Sequence, residues 1–200
     1  MSIFLIRHGQ TNGNRDRIVQ VPETPLSDIG QQQAIQLAAS FKYIAIDAII
    51  CSDYLRTQQT AAPLKSVGQP TFSLQPLLRE RDFGDLRGKA YNEIGADIFE
   101  DGYSPPNGES PQQFLTRVNL AWECILDTYQ QTPGNLVVMT HGLVLRELIR
   151  QHLIVANSIK SLSDFQNTCI TEVCGKDKKT VLRLCDANHL VQANVQGAAV

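Results

Sequence analysis

The pattern of apolar and polar positions alternates between short continuous apolar runs and longer stretches with helical periodicity. Ile3-Phe4-Leu5-Ile6, Ala48-Ile49-Ile50 and Leu136-Val137-Val138-Met139 are uninterrupted apolar runs. Such runs fit strands buried on both faces of a parallel sheet. Between them lie helices with legible starts. Ser27-Asp28 predicts a capped helix running through Gln33, Ala34 and Leu37. Ser110-Pro111, with Gln113 completing a capping box, opens another. That helix sets Phe114, Val118, Ala121, Trp122, Ile125 and Tyr129 along one stripe, so Trp122 is a core residue. A third helix starts near Asp53 and carries Arg56, and a fourth follows His141 through Leu145, Leu148 and Leu153. Cys169–Val173 and Val181–Leu184 flank Gly175-Lys176-Asp177, which predicts a hairpin. Strands alternating with helices imply an α/β domain over residues 1–190: a three-layer α/β/α sandwich around a mostly parallel sheet with an antiparallel edge. Residues 191–200 read as a loose tail.

Composition adds bounds rather than a function. Two hundred residues, 42% hydrophobic and 19% charged, suit one soluble domain. A net charge of -2 gives no footing for nucleic acid, and no apolar run approaches the length of a membrane span. Five cysteines, odd in number and without a CxxC pair, read as thiols of a reducing compartment. With no room for a leader before the first strand, the expected location is the cytoplasm.

Three chemically loaded segments directly follow expected strands: Arg7-His8-Gly9-Gln10-Thr11, Ser52 to Arg56, and Thr140-His141-Gly142. Ligands of open α/β sheets bind at the carboxyl ends of strands, so these segments can converge. Together with Asn14 they supply two imidazoles, two guanidiniums and a carboxamide. Guanidinium matches the oxygens of a phosphoryl group, and a neutral imidazole is a competent nucleophile. A proton donor is still needed for a leaving alkoxide. Glu80, in Leu78-Arg79-Glu80-Arg81-Asp82-Phe83-Gly84, is the candidate, with an ion pair to Arg79 or Arg81 as its rival role and Asp82 as the spare carboxylate. No Cys-x5-Arg loop, Gly-x-Ser-x-Gly elbow, P-loop or zinc ligand cluster is present; Cys51 to Arg56 is one residue short of the first. His152 reads as solvated, His189 as an anchor of the chain end, and Glu109 as a structural carboxylate at a helix start.

The ordered motifs resemble those of the histidine phosphatase superfamily, which includes the cofactor-dependent phosphoglycerate mutases. The resemblance rests on Arg7 to Thr11 with Asn14, Pro25-Leu26-Ser27-Asp28-Ile29-Gly30 with Gln33-Ala34, Ser52 through Ala61, and the Glu80 segment. Gly108-Glu109-Ser110, Thr140-His141-Gly142 and Asn188-His189-Leu190 complete it. It implies that His8 accepts the phosphoryl group, that Glu80 is the proton donor, and that Arg7, Asn14, Arg56, His141 and Gly142 hold phosphate, without metal or cofactor. The partner so implied is a small phosphorylated substrate. The loop Val19-Gln20-Val21-Pro22 departs from the glycine many members carry there, so substrate fit at the pocket mouth does not transfer. A mutase needs a closed pocket with extra cations, whereas Gly88 to Gly108 is short and holds Lys89 as its only basic residue. Hydrolysis of a phosphomonoester is therefore expected, with a mutase or a non-catalytic phosphate-binding regulator as the alternatives. Asp82-Phe83-Gly84-Asp85 leans toward the broad-specificity and alpha-ribazole phosphatases; the physiological substrate and the oligomeric state are not legible.

Overall fold

The apolar runs form the centre of a six-stranded sheet in a computed structural model that describes residues 1–100, 102–156, 165–176 and 178–190. The strands are β1 (Ile3–Arg7), β2 (Ala48–Cys51), β3 (Thr71–Leu74), β4 (Leu136–Thr140), β5 (Ile170–Cys174) and β6 (Thr180–Asp186), in spatial order β3-β2-β4-β1-β5-β6. The first three junctions are parallel, and β5 and β6 add the antiparallel edge. The registers Arg7↔Thr140 and Cys51↔Met139 bring the carboxyl ends of β1, β2 and β4 level. The tail at 191–200 and Asp177 of the expected turn lie outside the described residues.

Alternate side chains of each central strand enter different cores, as a two-residue period requires. Ile3, Leu5, Ile50 and Val138 pack with α4 (Pro111–Gln131) and α5 (Gly142–His152) on one face. Phe4, Ile6, Ile49 and Met139 pack on the other with Leu37 of α2 (Asp28–Ser40) and Ala61 of α3 (Leu55–Ala61). A short helix, α1 (Asn12–Arg15), follows β1 directly. The capping signals hold: Ser27 Oγ accepts from Gly30 N, and Ser110 and Gln113 exchange both bonds of a capping box. Trp122 is buried.

The third helix begins at Leu55, two residues past Asp53, and carries Arg56; the Asp53 carboxylate is held by Arg79 Nε at 2.7 Å. Two details differ from the expectation. Strand β3 is an additional parallel edge, too exposed to carry an apolar run. His152 is not simply solvated: its ring stacks on Trp122 (centroids 5.2 Å apart, planes 11° apart) and its Nε2 lies 3.0 Å from Asn119 Oδ1.

Candidate active site

Arg7 ends β1, and the backbone continues in sheet-like bonding as His8 N donates to Thr140 O at 3.0 Å. Ser52 N likewise donates to Met139 O at 2.9 Å. The segments after three strands thus meet at one edge, and the His8 and His141 rings lie 5.1 Å apart. The loop after β1 is locked to α2: Gln10 N donates to Gln33 Oε1 and Ser27 Oγ to Gln10 Oε1. Gly30 permits this approach, since a Cβ there would sit 2.0 Å from Gln10 O. Thr60 Oγ1 accepts from Gly9 N and donates to Arg56 O, tying α3 to the same loop.

The hydrogen bonds are the basis for assigning the proton positions. His8 Nδ1 lies 2.7 Å from Gly9 O. A carbonyl only accepts, so Nδ1 carries the hydrogen and Nε2 keeps its lone pair. His141 Nε2 lies 2.9 Å from Ser52 Oγ. That hydroxyl already accepts from Tyr54 N, and His141 Nε2 is its one acceptor among the described residues. His141 therefore carries its hydrogen on Nδ1. Burial, reinforced by Arg56 and by Arg7, holds the His8 pKa well below 6.5. Burial and Arg56, and after them His8 and Arg7, do the same to His141. Both imidazoles are neutral at pH 7.

Arg7 and Arg56 are each only 2% exposed. Burial lowers the pKa of both, that of Arg56 to about 10. Each spends one terminal nitrogen on backbone, Arg7 on Phe165 O and Arg56 on Val21 O. Three buried side-chain polar atoms among the described residues have no partner: Arg7 Nε, Arg56 Nε and His141 Nδ1. All three are donors. Asn14 adds a fourth donor group, because its oxygen already accepts from Thr11 N, Thr11 Oγ1 and Asn167 Nδ2. Gly142 begins α5 beside the Arg7 guanidinium, with room for a Cβ 3.6 Å from Arg7 Nε, so closeness does not demand glycine there.

Glu80 enters from the irregular chain between β3 and α4. Thr140 Oγ1 fixes this chain by donating to Leu78 O, and Arg117 by donating to Leu77 O and Arg79 O. The Glu80 carboxylate accepts from Arg81 N at 3.0 Å and from Leu143 N, at the start of α5, at 3.3 Å. Its rival role is not seen: Arg79 pairs with Asp53, and Arg81 donates to the carbonyls of Tyr103 and Glu109. Asp82 accepts from Gly84 N, whose φ of +51° suits glycine, and pairs with Arg87 at 3.2 Å. Glu109 grips Arg117 with both oxygens and accepts from Asp82 N.

Arg7, His8, Asn14, Arg56 and Glu80 line a recess of about 40 Å³, roofed by Tyr54, Phe83, Tyr91 and Phe99. His141 is fully buried and is not among the lining residues, though its ring is 5.1 Å from that of His8. A larger cavity, about 970 Å³, lies elsewhere, along Trp122, Tyr129, His152, Lys176, Lys178 and Lys179. It contains none of these groups.

Comparisons with known proteins identify the family. The profile of the histidine phosphatase superfamily (branch 1) matches residues 3–188. The chain belongs to the histidine phosphatase superfamily. It is 31% identical to a protein of Schizosaccharomyces pombe named "Probable phosphatase", over 95% of each chain. It is 32% identical to a Cronobacter sakazakii protein named "Probable phosphoglycerate mutase GpmB", over 74% of this chain and 73% of that one. Its fold superposes with a TM-score of 0.77 on the alpha-ribazole phosphatase of Shigella flexneri, at 27% identity, over 93% of this chain and 96% of that one.

Several pocket residues of this superfamily member are not evident from sequence. Asn167 is buried and donates to His8 O and Asn14 Oδ1 across more than 150 residues of chain. No motif marks it. Arg81 and Arg87 line the recess, so cations beyond Arg7 and Arg56 do stand there, contrary to the expectation drawn from Gly88–Gly108. Both are committed to protein groups, Arg87 to Tyr54 Oη and Asp82. The Val19–Pro22 loop is clamped by Val19 N to Lys89 O and Gly88 N to Val19 O. His189 Nε2 lies 3.1 Å from Thr168 Oγ1, and Thr168 N donates to the carbonyls of Arg7 and His8. No group of three or more His, Cys, Asp or Glu side chains placed to hold a metal occurs among the described residues. No described helix is long and apolar enough to cross a membrane.

Proposed function

We propose that the protein hydrolyses phosphomonoesters through a phosphohistidine on His8. The observation that carries this reading is the set of orphan donors, Arg7 Nε, Arg56 Nε and His141 Nδ1, beside an imidazole whose Nε2 lone pair is free. An unsatisfied buried donor costs about 1–3 kcal/mol. Three donors with no acceptor among them fit an anion, and the recess has the scale of one phosphoryl group.

The lone pair of His8 Nε2 attacks phosphorus, and the ester P–O pair leaves with the alcohol oxygen. Glu80, protonated, gives that oxygen its proton. Arg7, Arg56, His141 and Asn14 hold the non-bridging oxygens, where preorganised donors act on developing charge. Glu80, now a carboxylate, then takes a proton from water. The water oxygen bonds to phosphorus as the P–N pair returns to His8.

The likeness to a named mutase keeps isomerisation as the second reading. Against it stand the short Gly88–Gly108 segment and an open cleft beside Glu80. The test is a rapid quench with a labelled ester. Label should appear on His8 in an acid-labile, alkali-stable linkage, and inorganic phosphate should outpace any isomerised ester. His8→Ala should lose turnover and label together. Glu80→Gln should slow labelling far more from an alkyl than from an aryl ester, by roughly 10²–10⁴-fold for the alkyl one. Turnover retained in His8→Ala overturns the mechanism, and binding without turnover promotes the regulator.

A further inference from the structure

The recess that would take the phosphoryl group has no room for the remainder of a substrate, which must lie outside it. On the side where Glu80 would protonate the leaving oxygen, the site opens into a cleft of about 600 Å³. Tyr54, Glu80 and Arg87 line both spaces, so they mark the threshold between them. The volume is that of a small-molecule site.

The charges of this cleft are unlike those of the recess. Five carboxylates face three arginines, and each arginine pairs with one of them. Arg79 holds Asp53 with both carboxylate oxygens engaged, and Arg117 holds Glu109 in the same bidentate manner at 2.7 Å. Arg87 pairs with Asp82 at 3.2 Å and donates to Tyr54 Oη at 3.0 Å. The carboxylates left over are Glu80 and Glu23, and Glu23 has no ion-pair partner among the described residues. Arg79 secures Asp53 in its ionised form, its pKa held below the ordinary carboxylate value mainly by their hydrogen bond. With Glu80 carrying the proton for the leaving oxygen, four carboxylates remain against three arginines, so a second anion on the substrate would enter a cleft of net negative charge.

We infer that the leaving group is an uncharged or cationic alcohol, and that the cleft selects against esters bearing a second anionic group. This inference rests on the phosphatase reading above and names its substrate class. Like charges brought together repel, and repulsion of the wrong ligand is one way such discrimination is built.

The test uses a matched pair, glycerol 3-phosphate and 3-phosphoglycerate, which share the phosphorylated end and differ by a hydroxymethyl against a carboxylate. The full chain should show a kcat/KM at least about tenfold higher for glycerol 3-phosphate, with the gap narrowing as salt is raised. Asp82→Asn, which releases Arg87, and Glu23→Gln, which removes an unpaired charge, should each shrink the ratio several-fold. p-Nitrophenyl phosphate reports the phosphoryl chemistry separately. A ratio at or below one, with that ester turned over through His8, overturns the cleft inference alone. So does a ratio that neither variant changes. Failure on all three esters overturns the phosphatase reading and the inference with it.

Discussion

Orthophosphate should stabilise the folded protein, and the size of the effect follows from the orphan donors. Without an anion, Arg7 and Arg56 are two like charges, each 2% exposed, with Arg7 Nε, Arg56 Nε and His141 Nδ1 unsatisfied. Any ligand that binds only the folded state adds RT ln(1 + [L]/Kd), about 2.7 kcal/mol at a hundred times Kd. For a chain of this length roughly 2–4 °C accompany each kcal/mol, so Tm should rise by about 5–11 °C. Phosphate also strengthens burial nonspecifically. The diagnostic part is therefore the saturable rise above a sulfate-free chloride buffer of equal ionic strength.

Arg56→Met separates the ligand effect from ordinary stability. Replacing a buried charge by an apolar chain of similar length is often nearly neutral or stabilising, because its desolvation disappears. The bond to Val21 O and the stacking over Tyr54, 5.0 Å from guanidinium to ring centroid, are lost in exchange. In chloride the variant should stay within about 1–2 kcal/mol of the parent by urea denaturation, in keeping with one net hydrogen bond. In saturating phosphate the gap should widen by most of the 2.7 kcal/mol available. An equal deficit in both buffers would mean that Arg56 is a packing residue, and would refute the anion reading of the three donors.

Two further predictions concern the imidazoles. His8 and His141 are neutral in the fold and take up protons near pH 6.5 once unfolded, so stability should fall as pH drops below about 6.5. The slope should reach about 1.4 kcal/mol per pH unit for each imidazole, and His8→Asn should roughly halve the total in urea titrations between pH 7.5 and 5.5; a flat profile refutes their burial as neutral groups. Ser52→Ala removes the donor that fixes His141, so ¹⁵N spectra should show the proton shared between its nitrogens and kcat/KM should fall about tenfold, with Ser52→Thr restoring both; an unchanged nitrogen pattern would sink the tautomer argument.

What was legible in the sequence is what local rules govern. Three apolar runs bounded by loaded segments located the strand ends, because a strand buried on both faces cannot hide its composition. Ser27, Ser110 and Gln113 announced their helices through side-chain caps that act within one turn. The losses are of another kind. Thr71–Leu74 is a half-exposed edge, and burial is what writes a strand pattern. Asn167 reaches His8 across the sheet, from a segment with no periodicity of its own. His152 reads as polar until the fold sets Trp122 beneath it. Arg81 and Arg87 were legible as charges, but their commitments to Glu109 O and to Asp82 depend on how residues 75–110 fold back.

That contrast bears on where substrate choice resides. The groups that would handle phosphate stand at the ends of β1, β2 and β4, or one turn beyond, and are held by the sheet itself. A donor fixed this way needs no rearrangement to meet an anion, which is the condition for electrostatic catalysis. The leaving-group cleft is instead walled by Pro22–Glu23 and by chain between Asp53 and Arg117 whose described residues carry one short edge strand and brief 3₁₀ turns outside its helices. Its shape is set by ion pairs such as Arg117–Glu109 and by Thr140 Oγ1 gripping Leu78 O. Substitutions in this wall can alter which alcohol fits without moving His8, whereas a change at Ser52 or Thr60 disturbs the phosphate site for every substrate alike. One scaffold can then serve a phosphatase and a mutase, because the step they share is built into the sheet and the step that divides them is built into the loops.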